Sequence, residues 1–140
     1  MTQIDQETLA AYEATDYRVD WPSGVFVLKI GRPSRDLARL YEAAGVTSAA
    51  YLSAWNPYSR IAPPEANAAA QAALDARLAG VAPVVAPGWG ADPSGAWPPE
   101  RSTLALGLSL DEAKRLAEAF RQNGFVWCGP DATPQLVLMR

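Results

Sequence analysis

The sequence predicts an α/β (α+β) sandwich, in which a mixed sheet of about five to seven strands packs against three main helices. Short apolar or alternating segments recur between Gly/Pro turns, and three longer stretches repeat apolar residues at helical spacing. The two kinds of segment are interleaved along the chain. At 140 residues and 49% hydrophobic, the chain suits one domain over residues 1–140 with a buried core.

Helices are predicted where this periodicity is flanked by capping residues or proline at the start and, for the three main helices, by glycine at the end. The best-marked helix begins at Ser109, which forms a capping box with Glu112 and precedes an apolar stripe. In chain order the predicted helices are a short one over 5–13 and three main ones over 34–44, over 64–79 and from Ser109 to Gly124.

Strands are predicted from apolar alternation or from short apolar runs. They cover 16–20, 25–30, 46–55, 81–86, 102–107, 125–128 and 135–139. The first two and the last two should form hairpins, and 46–55 should lie parallel to 25–30 through a right-handed crossover. The Gly/Pro-rich segment 87–101 should be an irregular loop, a kind of segment that often carries function.

Composition excludes several chemistries. The chain has no histidine and one cysteine, Cys128, so it lacks the residues of a Ser–His–Asp triad, an imidazole base or a thiolate metal cage. No metal and no cofactor is therefore expected. Catalysis would have to use carboxylates, backbone amides, arginine or neutral polar side chains.

Charge and hydropathy restrict the partners and the compartment. The net charge is −3 and the arginines are scattered, so no basic face for nucleic acid is expected. No apolar run approaches the roughly 20 residues that cross a bilayer, and no secretory signal is visible. With a solitary cysteine, these features predict a cytoplasmic protein. A homodimer through the edge strand of a hairpin is compatible with every function considered below.

The helix over 64–79 places two amides on its apolar face. At 100° per residue, Asn67 and Gln71 fall on the same side as Leu74 and Leu78. Buried amides need hydrogen-bond partners, and the nearest in sequence are backbone groups of the turn over 56–60. The two amides are therefore either structural clamps on that turn or polar contacts at the floor of a pocket.

The turn itself contains further candidates for ligand binding, namely Trp55, Asn56 and Ser59. Asn56 precedes a proline, which favours an extended backbone, and its amide either contacts a ligand or forms a local Asx turn. Trp55 and, from the long loop, Trp97 would stack on or cover a ligand, although tryptophans in small domains often belong to the core. Glu100 is the best candidate for a general base.

The order of these residues resembles a known family. Ala54-Trp55-Asn56-Pro57 is followed by Ser59, Glu65-x-Asn67, Gln71, Trp97, Glu100 and the pair Gln122-Asn123, which by itself is expected to cap the third main helix. This pattern is similar to that of the small bacterial proteins called domain of unknown function 3293, over about residues 17–138. The resemblance implies a bacterial protein and brings no activity, substrate or cofactor.

Two functions follow as hypotheses. The first is a small-molecule-binding domain, conceivably an enzyme that needs no metal, with Trp55, Asn56, Ser59, Asn67, Gln71 and Trp97 binding the ligand and Glu100 as the base. The second is a protein-interaction or regulatory module in which the polar cluster is structural. A concave pocket lined by the amides would favour the first, and a flat apolar patch with exposed tryptophan would favour the second.

Overall fold

The fold is α+β, with four helices and a seven-stranded sheet within residues 4–139, which the computed structural model describes. The helices are α1 (Gln6–Ala14), α2 (Arg35–Ala44), α3 (Pro64–Val81) and α4 (Leu110–Ala119), with a 3₁₀ turn at Pro57–Ser59. The strands are β1 (Asp16–Trp21), β2 (Gly24–Leu28), β3 (Ala49–Leu52), β4 (Val84–Ala91), β5 (Glu100–Leu106), β6 (Gly124–Cys128) and β7 (Pro134–Leu138).

The starts of the helices and the end of α2 agree with the sequence prediction. The glycine ends predicted for the other two main helices are wrong, because α3 continues through Gly80 to Val81 and α4 ends at Ala119, before Gly124 of β6. The side chain of Ser34 accepts a hydrogen bond from the backbone of Leu37 at the start of α2, and Gly45 closes that helix in the left-handed conformation at φ 69°. Ser109 caps α4 in the same way, and Asp5 caps α1. The hairpins β1–β2 and β6–β7 are also confirmed.

The sheet has the order β2-β1-β4-β5-β3-β6-β7, and every neighbouring pair is antiparallel. The prediction of a mixed sheet, with β3 parallel to and beside β2, is therefore wrong. All four residues of β3 are buried, whereas Val25 and Val27 of β2 are exposed. A strand buried on both faces requires an interior position, and β3 takes it between β5 and β6, far from the edge strand β2.

The helices cover the two faces of the sheet. On one face, Leu37 and Tyr41 of α2 pack into a core cluster with residues of β1, β3, β5 and β6. On the other face, α3 and α4 contribute Leu74, Leu78 and Leu116 to a second cluster. In the region from residue 4 to residue 139, no helix is long and apolar enough to span a membrane.

The loop predicted over 87–101 is shorter than expected, because β4 continues to Ala91 and β5 begins at Glu100. Gly88 and Gly90 belong to β4, whereas Gly95 takes the left-handed conformation in the connection, at φ 73°. A Cβ on Gly88 would lie 2.4 Å from the backbone oxygen of Arg18 in β1 and 2.7 Å from the hydroxyl of Tyr51. Gly88 therefore permits a close approach of β1 and Tyr51, and only residues 92–99 connect the two strands.

Candidate functional site

A cavity of about 680 Å³ lies between α1, the turn after β3, the start of α3 and the 92–99 connection. Its floor belongs to the sheet face that α2 also covers, through residues such as Tyr17, Tyr51 and Ser102. Antiparallel pairing brings the two sides of the cavity together, because Leu52 at the end of β3 is opposite Thr103 near the start of β5. The chain leaving β3 therefore meets the chain entering β5.

Asn67 and Gln71 of α3 are buried, each 3% exposed, and both reach the segment that follows β3, as predicted. The Asn67 Oδ1 accepts a hydrogen bond from the Asn56 backbone N–H at 2.8 Å, and its Nδ2 donates to the Asn56 Oδ1 at 2.8 Å. The Gln71 Oε1 accepts from the backbone N–H of Ala54 at 2.9 Å. The two amides thus fix the chain immediately after β3.

Gln71 does not line the cavity. Its Nε2 donates to Asp75 and to Thr103 of β5, on the sheet face opposite the cavity, while its Oε1 is held by Ala54. Of its two predicted roles, these contacts fit the structural clamp and not a polar contact at the floor of the cavity.

Asn56 is not extended as its proline neighbour predicts; it is left-handed, at φ 46° and ψ 69°. Asparagine tolerates this conformation better than most residues. Four hydrogen bonds hold it: besides the two with Asn67, its Oδ1 accepts from the backbone N–H of Ala62 at 3.0 Å and its Nδ2 donates to the Glu100 Oε1 at 3.0 Å. These tertiary contacts outweigh the local preference.

Strain is concentrated in this turn. Tyr58 and Ser59 follow Asn56 in the left-handed region, at φ 55° and 61°. Non-glycine residues in such conformations cost about 1–3 kcal/mol each and cluster at functional sites. The backbone N–H of Tyr58 donates to the carbonyl of Arg121 at 2.7 Å, which ties the turn to the end of α4.

Glu100 begins β5 and lines the cavity with its carboxyl group half-buried. Burial raises the pKa of the Glu100 carboxyl above its usual value, and the hydrogen bond from Asn56 partly opposes that rise. Its Oε1 is bonded to Asn56, whereas its Oε2 has no hydrogen-bond partner among residues 4–139. Glu100 therefore lines the cavity with a carboxyl group that has one acceptor oxygen unused by the described residues.

The remaining predicted site residues form the walls. Trp55, Ser59 and Trp97 all line the cavity, with both tryptophans partly exposed rather than in the core. The Ser59 hydroxyl lies 2.6 Å from the Tyr12 hydroxyl and accepts from the Asn123 Nδ2 at 2.9 Å. Ser59 thus links the turn to α1 and to the end of α4.

A family model described as "Protein of unknown function (DUF3293)" matches residues 52–124, just over half of the chain. The chain belongs to this family. The resemblance recognised in the sequence is confirmed, over a shorter span than 17–138. No curated protein and no solved structure matches the chain.

The DUF3293 segment contains the polar centre of the cavity but not all of its walls. Asn56, Asn67 and Glu100 lie within residues 52–124, whereas Tyr12 and Tyr17 precede them. The N-terminal part of the chain therefore closes the site and adds polar lining residues of its own, such as Glu7 and Thr8.

Sequence reasoning missed several residues of the site in this DUF3293 protein. Gln122 and Asn123 were expected to cap α4, but Arg121 takes the left-handed conformation there, at φ 56°. The Gln122 Nε2 donates to the carbonyl of Phe120 at 3.2 Å, at the end of α4, and also to the carbonyl of Trp55 at 3.4 Å, whereas the Asn123 Nδ2 donates to Ser59. Tyr12 of α1 also belongs to the site, and nothing in the sequence indicated that its partner would be Ser59, because the contact spans 47 residues.

Proposed function

We propose that the protein is a small-molecule-binding domain and that its ligand occupies the cavity beside Glu100. The observation that carries the proposal is the position of Glu100: a half-buried residue that lines a cavity of about 680 Å³, with one carboxyl oxygen held by Asn56 and the other making no hydrogen bond among the described residues. Ligand pockets have volumes of roughly 300–1,000 Å³ and combine apolar walls with a few fixed polar groups.

The two asparagines support this function as positioning residues. The Asn67 Oδ1 accepts from the Asn56 backbone N–H, and its Nδ2 donates to the Asn56 Oδ1 and to the carbonyl of Ala62, so this amide holds the turn in place. Asn56 in turn orients Glu100. Such preorganisation lowers the cost of binding, because the polar groups are already fixed before the ligand arrives.

A metal-independent enzyme is the finer version of this proposal. Glu100 has the features of a general base, since burial raises its pKa, the residue lines the cavity and its Oε2 makes no hydrogen bond among residues 4–139. Within residues 4–139, no three Cys, Asp or Glu side chains are grouped to hold a metal ion. A base role would require that a bound substrate present a proton to the Glu100 Oε2.

The alternative is a protein-interaction module, which would use the sheet face opposite the cavity. Val25, Val27 and Trp89 are exposed on that face, and Trp89 is 38% exposed. We rank this function second, because two strained residues of the turn, Asn56 and Ser59, line the cavity together with Glu100.

The test is to fill the cavity and ask whether ligand is lost. Protein purified without added ligand is examined by native mass spectrometry, both as wild type and as Ala11→Phe, in which a bulky side chain enters the cavity from α1. Ala10→Phe is the matched control, because Ala10 is exposed on the same helix and does not line the cavity. We expect a bound mass in wild type and in Ala10→Phe and none in Ala11→Phe. Equal occupancy in all three proteins would refute the proposed location.

If no mass is retained on purification, the same three proteins are screened for thermal stabilisation by a library of small metabolites. A compound that stabilises wild type and Ala10→Phe but not Ala11→Phe supports the cavity as its site. A library in which every stabilising compound acts equally on all three proteins contradicts it.

A further inference from the structure

The charges that line the cavity all have the same sign. The formally charged lining residues are Glu7 of α1 and Glu100 of β5, and no lysine or arginine lines the cavity within the described range, 4–139. Tyr17 and Tyr51 stay neutral near pH 7, because burial raises the pKa of both hydroxyls. An anionic ligand would therefore meet a carboxylate with no cation to offset it.

The nearest arginine in sequence does not neutralise Glu100. Arg101 follows Glu100 in β5, and side chains of successive strand residues point to opposite faces of a sheet. Arg101 accordingly forms a salt bridge with Asp75 of α3 at 3.5 Å, on the far side of the sheet from the cavity. The Glu100 carboxyl is left with the neutral Asn56 amide as its partner.

Aromatic side chains supply much of the wall around this carboxyl. Six of the described residues that line the cavity are aromatic: Tyr12, Tyr17, Tyr51, Trp55, Trp97 and Phe125. The faces of aromatic rings attract cations, and sites for organic ammonium ions combine such rings with a carboxylate.

We infer that the ligand is an organic cation, a protonated amine on an aromatic or aliphatic body, with its ammonium group on the Glu100 Oε2 and its body between Trp55 and Trp97. This inference rests on the proposed function and adds the chemical class of the ligand. The amine supplies the donor that the free oxygen lacks and the positive charge that the lining lacks.

The start of α3 is the competing feature, since Pro64 lines the cavity and helix N-termini favour anions. Glu65 in the first turn of α3 already places a negative charge at that terminus. An anion there would also share the cavity with Glu100. We therefore expect the carboxylate to set the charge preference.

The test compares ligands that differ in charge but not in body. Tryptamine, tryptophol and indole-3-acetate carry an ammonium, a hydroxyl and a carboxylate group on the same ring system; 2-phenylethylamine, 2-phenylethanol and phenylacetate form a smaller set. Binding is measured by isothermal titration calorimetry with the full chain at pH 7. We expect the amine of at least one set to bind about tenfold or more tightly than its alcohol, and the acid to bind most weakly.

A variant assigns the preference to Glu100. Glu100→Gln keeps the shape of the side chain and should weaken amine binding about tenfold or more while changing the affinity for the alcohol less than about threefold. Glu42→Gln is the matched control, since it removes the same charge from an exposed residue of α2 that lies outside the lining, and it should leave both affinities unchanged.

The outcomes separate this inference from the function on which it rests. If the alcohols bind as tightly as the amines, or the acids bind best, the inference is overturned although the cavity binds small molecules. If no compound of either set binds, the inference also falls, and the Ala11→Phe experiment judges the proposed function independently. Preference for amines that Glu100→Gln leaves intact would overturn the assigned contact.

Discussion

Asn67→Ala tests whether the amide of Asn67 holds the turn after β3. The substitution removes the two hydrogen bonds of 2.8 Å to Asn56 and a longer one of 3.4 Å to the carbonyl of Ala62. It leaves the Asn56 backbone N–H without its partner, whereas the Asn56 Oδ1 keeps its bond from the N–H of Ala62. The change therefore combines one orphaned donor with one weakened acceptor.

The magnitude follows from these contacts. An unsatisfied buried donor costs about 2 kcal/mol and a lost hydrogen bond about 1 kcal/mol, while alanine in place of asparagine within a helix returns about 0.5 kcal/mol. The free energy of unfolding should fall by about 2.5 kcal/mol. For a chain of this size, the melting temperature should fall by about 10 °C.

The assay is equilibrium unfolding in urea, followed by tryptophan fluorescence, with Trp55 beside the altered turn. Ala68→Asn is the matched control: Ala68 is exposed on the same helix, so this variant measures the intrinsic cost of asparagine in α3, about 0.5 kcal/mol. If Asn67→Ala, corrected by this value, loses less than about 1 kcal/mol, the hydrogen bonds to Asn56 do not stabilise the fold and the clamp is wrong.

Three further predictions concern other parts of the structure. Gly88→Ala should lose about 2 kcal/mol or more of stability in a melting experiment, because its Cβ would lie 2.4 Å from a backbone oxygen. Gly90→Ala, whose Cβ would have its nearest atom at 3.7 Å, should lose much less, and equal losses would contradict the close approach. Burial raises the pKa of Glu100 above its value in the unfolded chain, so its charged form opposes folding as the pH rises through that pKa. The free energy of unfolding of Glu100→Gln should therefore exceed that of wild type at pH 7, and by less below about pH 4.5. A gain in stability that does not depend on pH would be evidence against desolvation as the cause. Tyr12→Phe removes the contact with Ser59 and should raise amide hydrogen exchange in α1 about fivefold, measured by mass spectrometry with α4 as the internal reference; unchanged exchange would show that other contacts hold α1.

The features that sequence reasoning predicted well are those that neighbours in the chain determine. Ser34, Gly45 and Ser109 cap helices because capping needs only a side chain or a flexible backbone at the helix end. The inward position of Asn67 and Gln71 followed from their small angular distance to Leu74 and Leu78 on one helix. Their closeness to the turn after β3 followed from the short chain between that turn and the helix.

The features that it did not predict depend on contacts between distant segments. An apolar run indicates that β3 is buried but not which strands flank it, so its pairing with β5 and β6 was missed. Gly and Pro at 87–90 suggested a loop because the reason for Gly88, its approach to β1 and Tyr51, is absent from local sequence. Asn56 became left-handed for the same kind of reason, since its bonds to Asn67 and Glu100 span 11 and 44 residues.

The hydrogen bonds of the cavity imply that stability and binding depend on different residues. Asn67 bonds to Asn56 and Ala62, and Asn56 holds Glu100 by one oxygen only. Loss of Asn67 should therefore lower stability and weaken binding together, through a displaced Asn56. Loss of the Glu100 charge should weaken binding while it raises stability, because removing a half-buried charge relieves its desolvation. In this site Glu100 lowers the stability of the fold, and its neighbours offset that loss. Such an arrangement is expected when a residue is retained for a ligand rather than for the fold.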